Sequence, residues 1–133
     1  MRIINISILI CLVIGFPSFS YSYQLELPPC IEMDHCVEEE WEVKSIDEPF
    51  RVIKGIIEDN PRTKIVELEK GYIRAEVTTK WMRFVDDLEI AYLPKSNKLQ
   101  IRSESRIGES DLGVNSKRVN VLKAKMFQTD FIE

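Results

Sequence analysis

Alternation of apolar and polar side chains is the feature that most constrains the fold of this 133-residue chain. It occurs in four segments, at residues 64–68, 72–80, 81–93 and 99–106. Because successive side chains of a strand point to opposite faces of a sheet, each segment predicts a strand with two unlike faces. Gly71 and residues 94–97 predict the turns between them. We therefore predict an antiparallel meander of three to four strands.

One helix is predicted before these strands in the chain and another after them. Asp47 is a good N-cap for the first helix, and Pro61 ends it. Asn115 is a plausible cap for the second, at residues 115–127. Apolar side chains recur at helical spacing at Phe50, Ile53 and Ile57 and at Val119, Leu122 and Met126. The predicted fold class is α+β, with both helices packed on one face of the sheet.

The N-terminus predicts export. Arg2 carries a positive charge, residues 3–16 are almost wholly apolar, and small residues follow at 17–22. This is the order of a secretory signal peptide. The alternative is a membrane anchor, but the apolar run is shorter than the roughly 20 residues that span a bilayer. We expect cleavage after Ser20 or Ser22, no stable membrane span afterwards, and a periplasmic or extracellular location.

The predicted organisation is a signal peptide at residues 1–22, an irregular arm at 23–48 and an α+β domain at 49–133, the arm and the domain forming one unit. The chain has 18 basic and 22 acidic residues, for a net charge of −4. A mildly acidic protein has no electrostatic reason to bind nucleic acid or anionic lipid. We predict no nucleic-acid partner.

Cys30 and Cys36 lie in the arm. In an oxidising compartment, a pair this close is most simply a disulfide. The alternatives are free thiols, or a metal bound with His35, although adjacent residues such as His35 and Cys36 rarely bind one metal together. Cys11 belongs to the predicted signal peptide. No cofactor and no metal site are predicted.

The polar faces of the strands bring together arginines and carboxylates. If the alternation holds, one face carries Arg74, Glu76, Asp87, Glu89, Arg102, Glu104 and Arg106. Side chains on neighbouring strands lie about 5 Å apart, so these residues form an arginine–carboxylate ladder. One interpretation is a surface ion-pair network. The other is a recognition site in which Arg102 and Arg106 hold an anion, with backbone donors from the start of the last helix.

Two strings within this region resemble a known family. Arg-Phe-Val-Asp-Asp stands at residues 83–87, and Arg-Ser-Glu-Ser-Arg-Ile-Gly-Glu-Ser-Asp-Leu-Gly-Val-Asn at 102–115, with Arg118 following in the last helix. With the Cys-x5-Cys-Val that begins at Cys30, they resemble the domain of unknown function 1499 family. The resemblance covers residues 27–126.

The chain departs from the family pattern at three positions. Ile31 and His35 stand where proline and asparagine are common, and Glu104 replaces a small residue. Glu104 makes the ladder more acidic than usual. The resemblance implies a mostly bacterial, often exported protein with plastid relatives and no established activity.

The candidate binding residues are Asp87, Glu89, Arg102, Ser103, Ser105, Arg106, Asp111, Asn115 and Arg118. We expect Asp111 to brace the turn before the last helix, with Gly108 and Gly113 supplying permissive backbone angles. A calcium site formed by Glu109, Asp111 and Asn115 is the alternative, but it lacks EF-hand spacing.

No catalytic residue is predicted. Asp86 and Asp87 are adjacent, so on a strand they point to opposite faces and cannot form a carboxylate dyad. Asp86, alone among apolar neighbours, is expected to pair with Arg118 or Arg106 inside the fold. The candidate nucleophiles Ser103, Ser105 and Ser110 lack a base, since His35 is expected on a distant arm.

The sequence supports a non-catalytic binding or interaction module whose partner is a small anionic ligand or an envelope protein. In that hypothesis Arg102, Arg106 and Arg118 act together with Asp87. One alternative is an envelope structural protein that docks a partner through the acidic run at residues 38–40 and Trp41. The other is a hydrolase of unknown substrate.

Overall fold

The computed structural model describes residues 26–129 and confirms the α+β class. The elements, in chain order, are β1 (Cys36–Glu42), α1 (Asp47–Glu58), β2 (Thr63–Glu69), β3 (Tyr72–Thr78), β4 (Val85–Leu93), β5 (Lys98–Ser105) and α2 (Val114–Phe127). The predicted signal peptide lies outside the described residues. Within residues 26–129, no helix is long and apolar enough to cross a membrane.

The sheet has five antiparallel strands in the order β1-β5-β4-β3-β2. The predicted meander is present as β2 to β5, but three to four strands was too few. The fifth, β1, lies in the segment that we predicted as an irregular arm. That prediction was wrong because the glutamates at residues 38–40 are poor strand formers in general, yet suit the charged edge of a sheet. The strand conformation of β1 comes from its pairing with β5, which runs from Cys36 opposite Glu104 to Glu42 opposite Lys98.

The core lies between the sheet and the two helices. It is formed by the inward-facing side chains of four strands and the apolar stripes of both helices, among them Trp41, Ile53, Ile57, Ile73, Leu88, Ile90, Leu99, Ile101, Val119, Leu122 and Met126. Trp41 is only 3% exposed, so it cannot dock a partner as one hypothesis required. Its indole Nε1 donates to Glu39, which also accepts from Lys123 on α2.

The segment at residues 79–84 is a loop, which we call the β3–β4 loop, and not the start of a strand as predicted. Thr79 N–H donates to the carbonyl of Phe84 at 2.8 Å, and Phe84 N–H donates to Thr79 Oγ1 at 2.9 Å. Arg83 has a φ of 58°. This left-handed conformation interrupts the extended backbone. The alternation of Met82 and Phe84 with their neighbours therefore does not correspond to a strand.

The two helix starts differ from the sequence prediction. Asp47 is the first residue of α1 and not its cap. In α2 the cap position is held by Gly113, with a φ of 79°, and Asn115 lies inside the first turn. The carboxylate of Asp111 accepts the N–H groups of Gly113 and Asn115, each at 2.8 Å. Asp111 therefore braces the turn as predicted, and the predicted backbone donors of this helix are already occupied.

Candidate functional site

The sheet separates the predicted site residues into two groups. The open face, away from the helices, carries Asp87, Glu89, Arg102 and Arg106, and the face covered by the helices carries Ser103, Ser105, Asn115 and Arg118. Asp111 lies in the loop at residues 106–113, which we call the β5–α2 loop. The hypothesis that Arg118 acts together with Arg102 and Arg106 requires one shared site, and the fold places a sheet between them.

On the open face the predicted ladder forms, and Arg102 and Arg106 are each paired with two carboxylates, although Arg102 Nε is buried without a partner. Arg102 donates to Glu89 at 3.1 Å and to Glu104 at 2.5 Å. Arg106 donates to both carboxylate oxygens of Asp87, at 2.7 Å each, and to Glu76 at 2.7 Å. An anionic ligand would have to displace these carboxylates before it could use either guanidinium.

The electrostatics of the ladder follow from these contacts. The hydrogen bond from Arg106 holds the pKa of Asp87 below its ordinary value, against the effect of partial burial, and the same bond raises the pKa of Arg106. Burial and a hydrogen bond to Glu89 raise the pKa of Tyr72. The shifts of Asp87 and Arg106 favour their charged forms and that of Tyr72 favours its neutral form, which suits an ion-pair network and not acid–base chemistry.

On the covered face five side chains form what we call the buried polar network: Asp86, Ser103, Ser105, Asn115 and Arg118. Arg118 donates to Ser103 Oγ at 2.8 Å and also to Asn115 Oδ1. Ser103 Oγ donates to Asn115 Oδ1 at 2.7 Å, and Asn115 Nδ2 donates to Ser105 Oγ at 2.9 Å. The network joins the first turns of α2 to β4 and β5. It also occupies Asn115, which removes one ligand of the calcium alternative.

Asp86 is the most constrained member of this network. As predicted, it points away from Asp87 and pairs inside the fold, with Arg118 Nη2 at 2.6 Å from its Oδ2. The Asp86 side chain is 1% exposed and that of Arg118 13%. The other oxygen, Oδ1, is buried with no hydrogen-bond partner. A buried oxygen that lacks a donor carries an unmet desolvation cost, so a donor that reached it would bind favourably.

The disulfide loop braces this site from the side. Cys30 and Cys36 are joined by a disulfide with Cα atoms 5.6 Å apart. The carbonyl of His35, within this loop, accepts from Ser105 N–H at 3.0 Å and from Asn115 Nδ2 at 3.1 Å. The expectation that His35 lies on a distant arm was wrong, because the pairing of β1 with β5 carries the arm along.

The proximity of His35 does not create a catalytic pair. Its Nδ1 lies 2.9 Å from the carbonyl oxygen of Gly108, and its Nε2 lies 3.6 Å from a carboxylate oxygen of Glu32. Neither ring nitrogen contacts a serine hydroxyl among the described residues. Within residues 26–129, no group of three or more His, Cys, Asp or Glu side chains is placed to hold a metal ion.

A large cavity opens beside the buried polar network. It has a volume of about 700 Å³ and lies between α1, α2, the β3–β4 loop and the β5–α2 loop. Ile57, Leu88 and Leu122, which line it, belong to the buried core. Asp86, Ser105 and Arg118 contribute polar groups to its wall. A cavity of this size and composition falls in the range typical of small-molecule sites, about 300–1,000 Å³.

The mouth of the cavity is apolar and exposed. Its lining includes Trp81, Met82, Phe84, Ile107, Leu112, Val114 and Val121, all of which are exposed large hydrophobic side chains. Trp81 is 85% exposed and Leu112 is 92% exposed. The sequence analysis missed these residues because it assigned the first three to a strand. The signal in the sequence was that the segments forming the β3–β4 loop and the β5–α2 loop each carry large apolar side chains. Only the fold brings these two loops together.

The chain matches the family model "Protein of unknown function (DUF1499)" over residues 22–126. It belongs to this family. The match includes the disulfide loop, β1, the ladder and the buried polar network, so the DUF1499 unit is the whole sheet with both helices. No curated protein and no solved structure matches the chain.

Proposed function

We propose that this protein is an exported, non-catalytic binding module that holds a small molecule in the cavity between α2 and the β3–β4 loop. The observation that supports this most is the cavity itself, which combines a largely apolar lining with a few convergent polar groups. Asp86 supports it further, because this residue lines the cavity and its Oδ1 is a buried acceptor with no donor. A donor group of the ligand would satisfy it.

In this proposal the polar site that serves binding is the pair Asp86–Arg118. The ladder on the open face has a structural role, because Arg102 and Arg106 are each held by two carboxylates of this chain. Arg102→Ala combined with Arg106→Ala is therefore expected to leave ligand binding intact while the fold survives. Loss of binding in a folded double variant would show that the ligand binds on the open face and not in the cavity.

The proposal is tested with N-phenylnaphthylamine, a neutral dye whose fluorescence rises in apolar surroundings. The protein is purified from cells that express the full chain, and its N-terminus is determined by mass spectrometry, which also tests the predicted export and cleavage. We expect saturable dye binding at one site per chain. Val121→Glu, which places a charge in the mouth of the cavity, is expected to weaken binding by at least about tenfold.

Ala124→Glu is the matched control. It introduces the same side chain on an exposed position of α2 that does not line the cavity. We expect it to bind the dye like the unaltered protein. Absent or non-saturable dye binding by the unaltered protein, or equal binding by Val121→Glu and Ala124→Glu, would rule out the cavity as the site.

A further inference from the structure

We propose that the cavity takes an anionic amphiphile, with the apolar part of the ligand inside the cavity and its anionic group at the cationic rim. This inference rests on the proposed function and names the chemical class of its ligand. It is carried by the distribution of charge around the cavity, which differs from that of the chain as a whole.

Cationic side chains approach the cavity from two sides. Lys117 and Lys125 lie on α2, four residues before and after Val121, so all three share one stripe of the helix. Arg62 and Lys80 line the cavity from the opposite side, at the start of β2 and in the β3–β4 loop. Long cationic side chains can lay their alkyl stems along an apolar wall and keep their charged ends at its edge.

Among residues 26–129, none of Arg62, Lys80, Lys117 and Lys125 makes an ion pair with a carboxylate. On the open face, by contrast, Arg74, Arg102 and Arg106 each pair with at least two carboxylates. The Lys80 ammonium instead lies over the ring of Trp81, 5.1 Å from its centre, at the mouth of the cavity.

The acids of the cavity do not offset this charge. Among residues 26–129, five cationic side chains line it, including Arg118, against two acidic ones, Asp86 and Asp111. Asp86 is paired with Arg118, and Asp111 is held by two backbone N–H groups. The whole chain has a net charge of −4, which by itself gives no electrostatic reason to bind anionic lipid. The excess of cations at one apolar cavity produces a local positive potential that this average conceals.

Apolar walls and a cationic rim together select a ligand with two unlike ends. A purely polar anion would leave the exposed apolar side chains of Trp81, Met82 and Val121 facing water. A neutral hydrocarbon would leave the rim cations without a counter-charge. A single-chain carboxylate or phosphate monoester satisfies both parts. Such a ligand can be dissolved or can come from a bilayer, and the two sources share this chemistry.

The inference is tested by displacing N-phenylnaphthylamine with three amphiphiles of equal chain length, each below its micelle concentration. These are dodecanoate, dodecanol and dodecyltrimethylammonium. We expect dodecanoate to displace the dye at a concentration about tenfold lower than dodecanol, because contributions of rim charges of this kind add to roughly that ratio. The cationic amphiphile is expected to be the weakest. Dodecanol equal to or stronger than dodecanoate would overturn the inference.

Charge reversal locates the effect. Lys117→Glu combined with Lys125→Glu is expected to abolish the preference for dodecanoate over dodecanol, measured as the ratio of the two displacing concentrations in the same variant. The matched control is Lys70→Glu with Lys95→Glu, which changes the net charge equally in turns at the other end of the sheet. An equal loss of preference in both variants would show an effect of total charge and refute a rim site.

The outcomes separate the two proposals. If the unaltered protein does not bind the dye, the proposed function itself fails. If it binds the dye without preferring dodecanoate, only the ligand class is wrong. Co-sedimentation with phosphatidylglycerol vesicles examines the bilayer as the source. Binding to these vesicles without binding of dissolved dodecanoate would replace the cavity ligand with docking of Trp81 and its neighbours on a membrane surface.

Discussion

The two faces of the sheet use the same chemistry in opposite ways. On the open face, Arg106 has two carboxylate partners, Asp87 and Glu76. On the covered face, Asp86 has one arginine partner and an oxygen left without a donor. On the open face the Nε of Arg102 is also buried without a partner, but Arg102 does not line the cavity, whereas Asp86 does. A ligand can act on an unpartnered polar atom of a residue that lines a cavity. The number of charged residues on a face is therefore a poor guide to where a ligand binds.

The two faces also differ in how much their ion pairs contribute to the stability of the fold. Water screens the pairs that Arg106 makes on the open face, where each exposed pair contributes about 0–1 kcal/mol, whereas Arg102 and Glu89 are only 10% and 15% exposed. Asp86 and Arg118 have little access to water, so each depends on the other for compensation of its charge. Adjacent aspartates, Asp86 and Asp87, therefore make very different contributions to stability.

The largest expected effect is the loss of Asp86. Asp86→Ala leaves the guanidinium of Arg118 without its carboxylate, and we expect a loss of about 3–5 kcal/mol in the free energy of unfolding. Urea denaturation measures it. Asp87→Ala is the control on the open face and is expected to cost clearly less. If the two variants were equally stable, the contrast between the faces would be wrong.

Asp86→Leu combined with Arg118→Met then separates charge from packing. Because the double variant buries no unpaired charge, it is expected to recover a large part of the stability that Asp86→Ala loses. A double variant as unstable as the single one would show that the buried polar network is needed for its shape.

The second largest loss of stability is expected when the disulfide between Cys30 and Cys36 is removed. Cys30→Ser combined with Cys36→Ser is expected to cost about 2 kcal/mol, from the entropy of closing a short loop. The loop supports the covered face through the carbonyl of His35. Thermal melting with and without a reductant measures the cost, and a reductant should lower the melting temperature of the unaltered protein alone. Insensitivity of the unaltered protein to a reductant that cleaves the bond contradicts the prediction.

The third effect concerns Asp111. Partial burial by itself raises the pKa of its carboxyl, but hydrogen bonds from the N–H groups of Asn115 and Gly113 outweigh this and leave it below the ordinary 3.8. A lowered folded-state pKa means that the contribution to stability is present above pH 3.8 and is lost as the pH falls through the folded value. Asp111→Asn is expected to cost about 1 kcal/mol at neutral pH and less in acid.

Melting temperatures between neutral pH and strong acid measure this dependence. Glu109→Gln in the same loop is the control, because its carboxylate makes no hydrogen bond with the described residues. We expect the Asp111→Asn profile to approach that of the unaltered protein as the pH falls. A constant difference at every pH would mean that the charge of Asp111 does not act through the start of α2.

The smallest effect on stability is expected for Arg106→Gln, because this arginine is exposed and screened. Its signature is the pKa of Asp87, which Arg106 holds below the ordinary value and which is expected to rise in the variant. Carboxyl NMR titration measures it. An unchanged pKa for Asp87 would show that Arg74, its other cationic neighbour, suffices.

Much of the fold could be predicted from local patterns. The alternation at residues 72–80 and 99–106 placed Arg74, Glu76, Arg102 and Arg106 on one face, as the structure has them. The adjacent pair Asp86 and Asp87 was correctly split between the two faces. Such patterns have periods of two or about four residues, so a short window of sequence contains all the information that they require.

What the sequence by itself determined is thus which side chains share a face, where the helices lie and which acid must be buried. The tertiary structure alone decided that β1 is a strand beside β5, that His35 lies against the β5–α2 loop, and that Arg118 is separated from Arg102 by the sheet. It also created the cavity, from two helices and two loops. These features depend on contacts between segments distant in the chain, and the free energy that selects them appears only when the whole core packs.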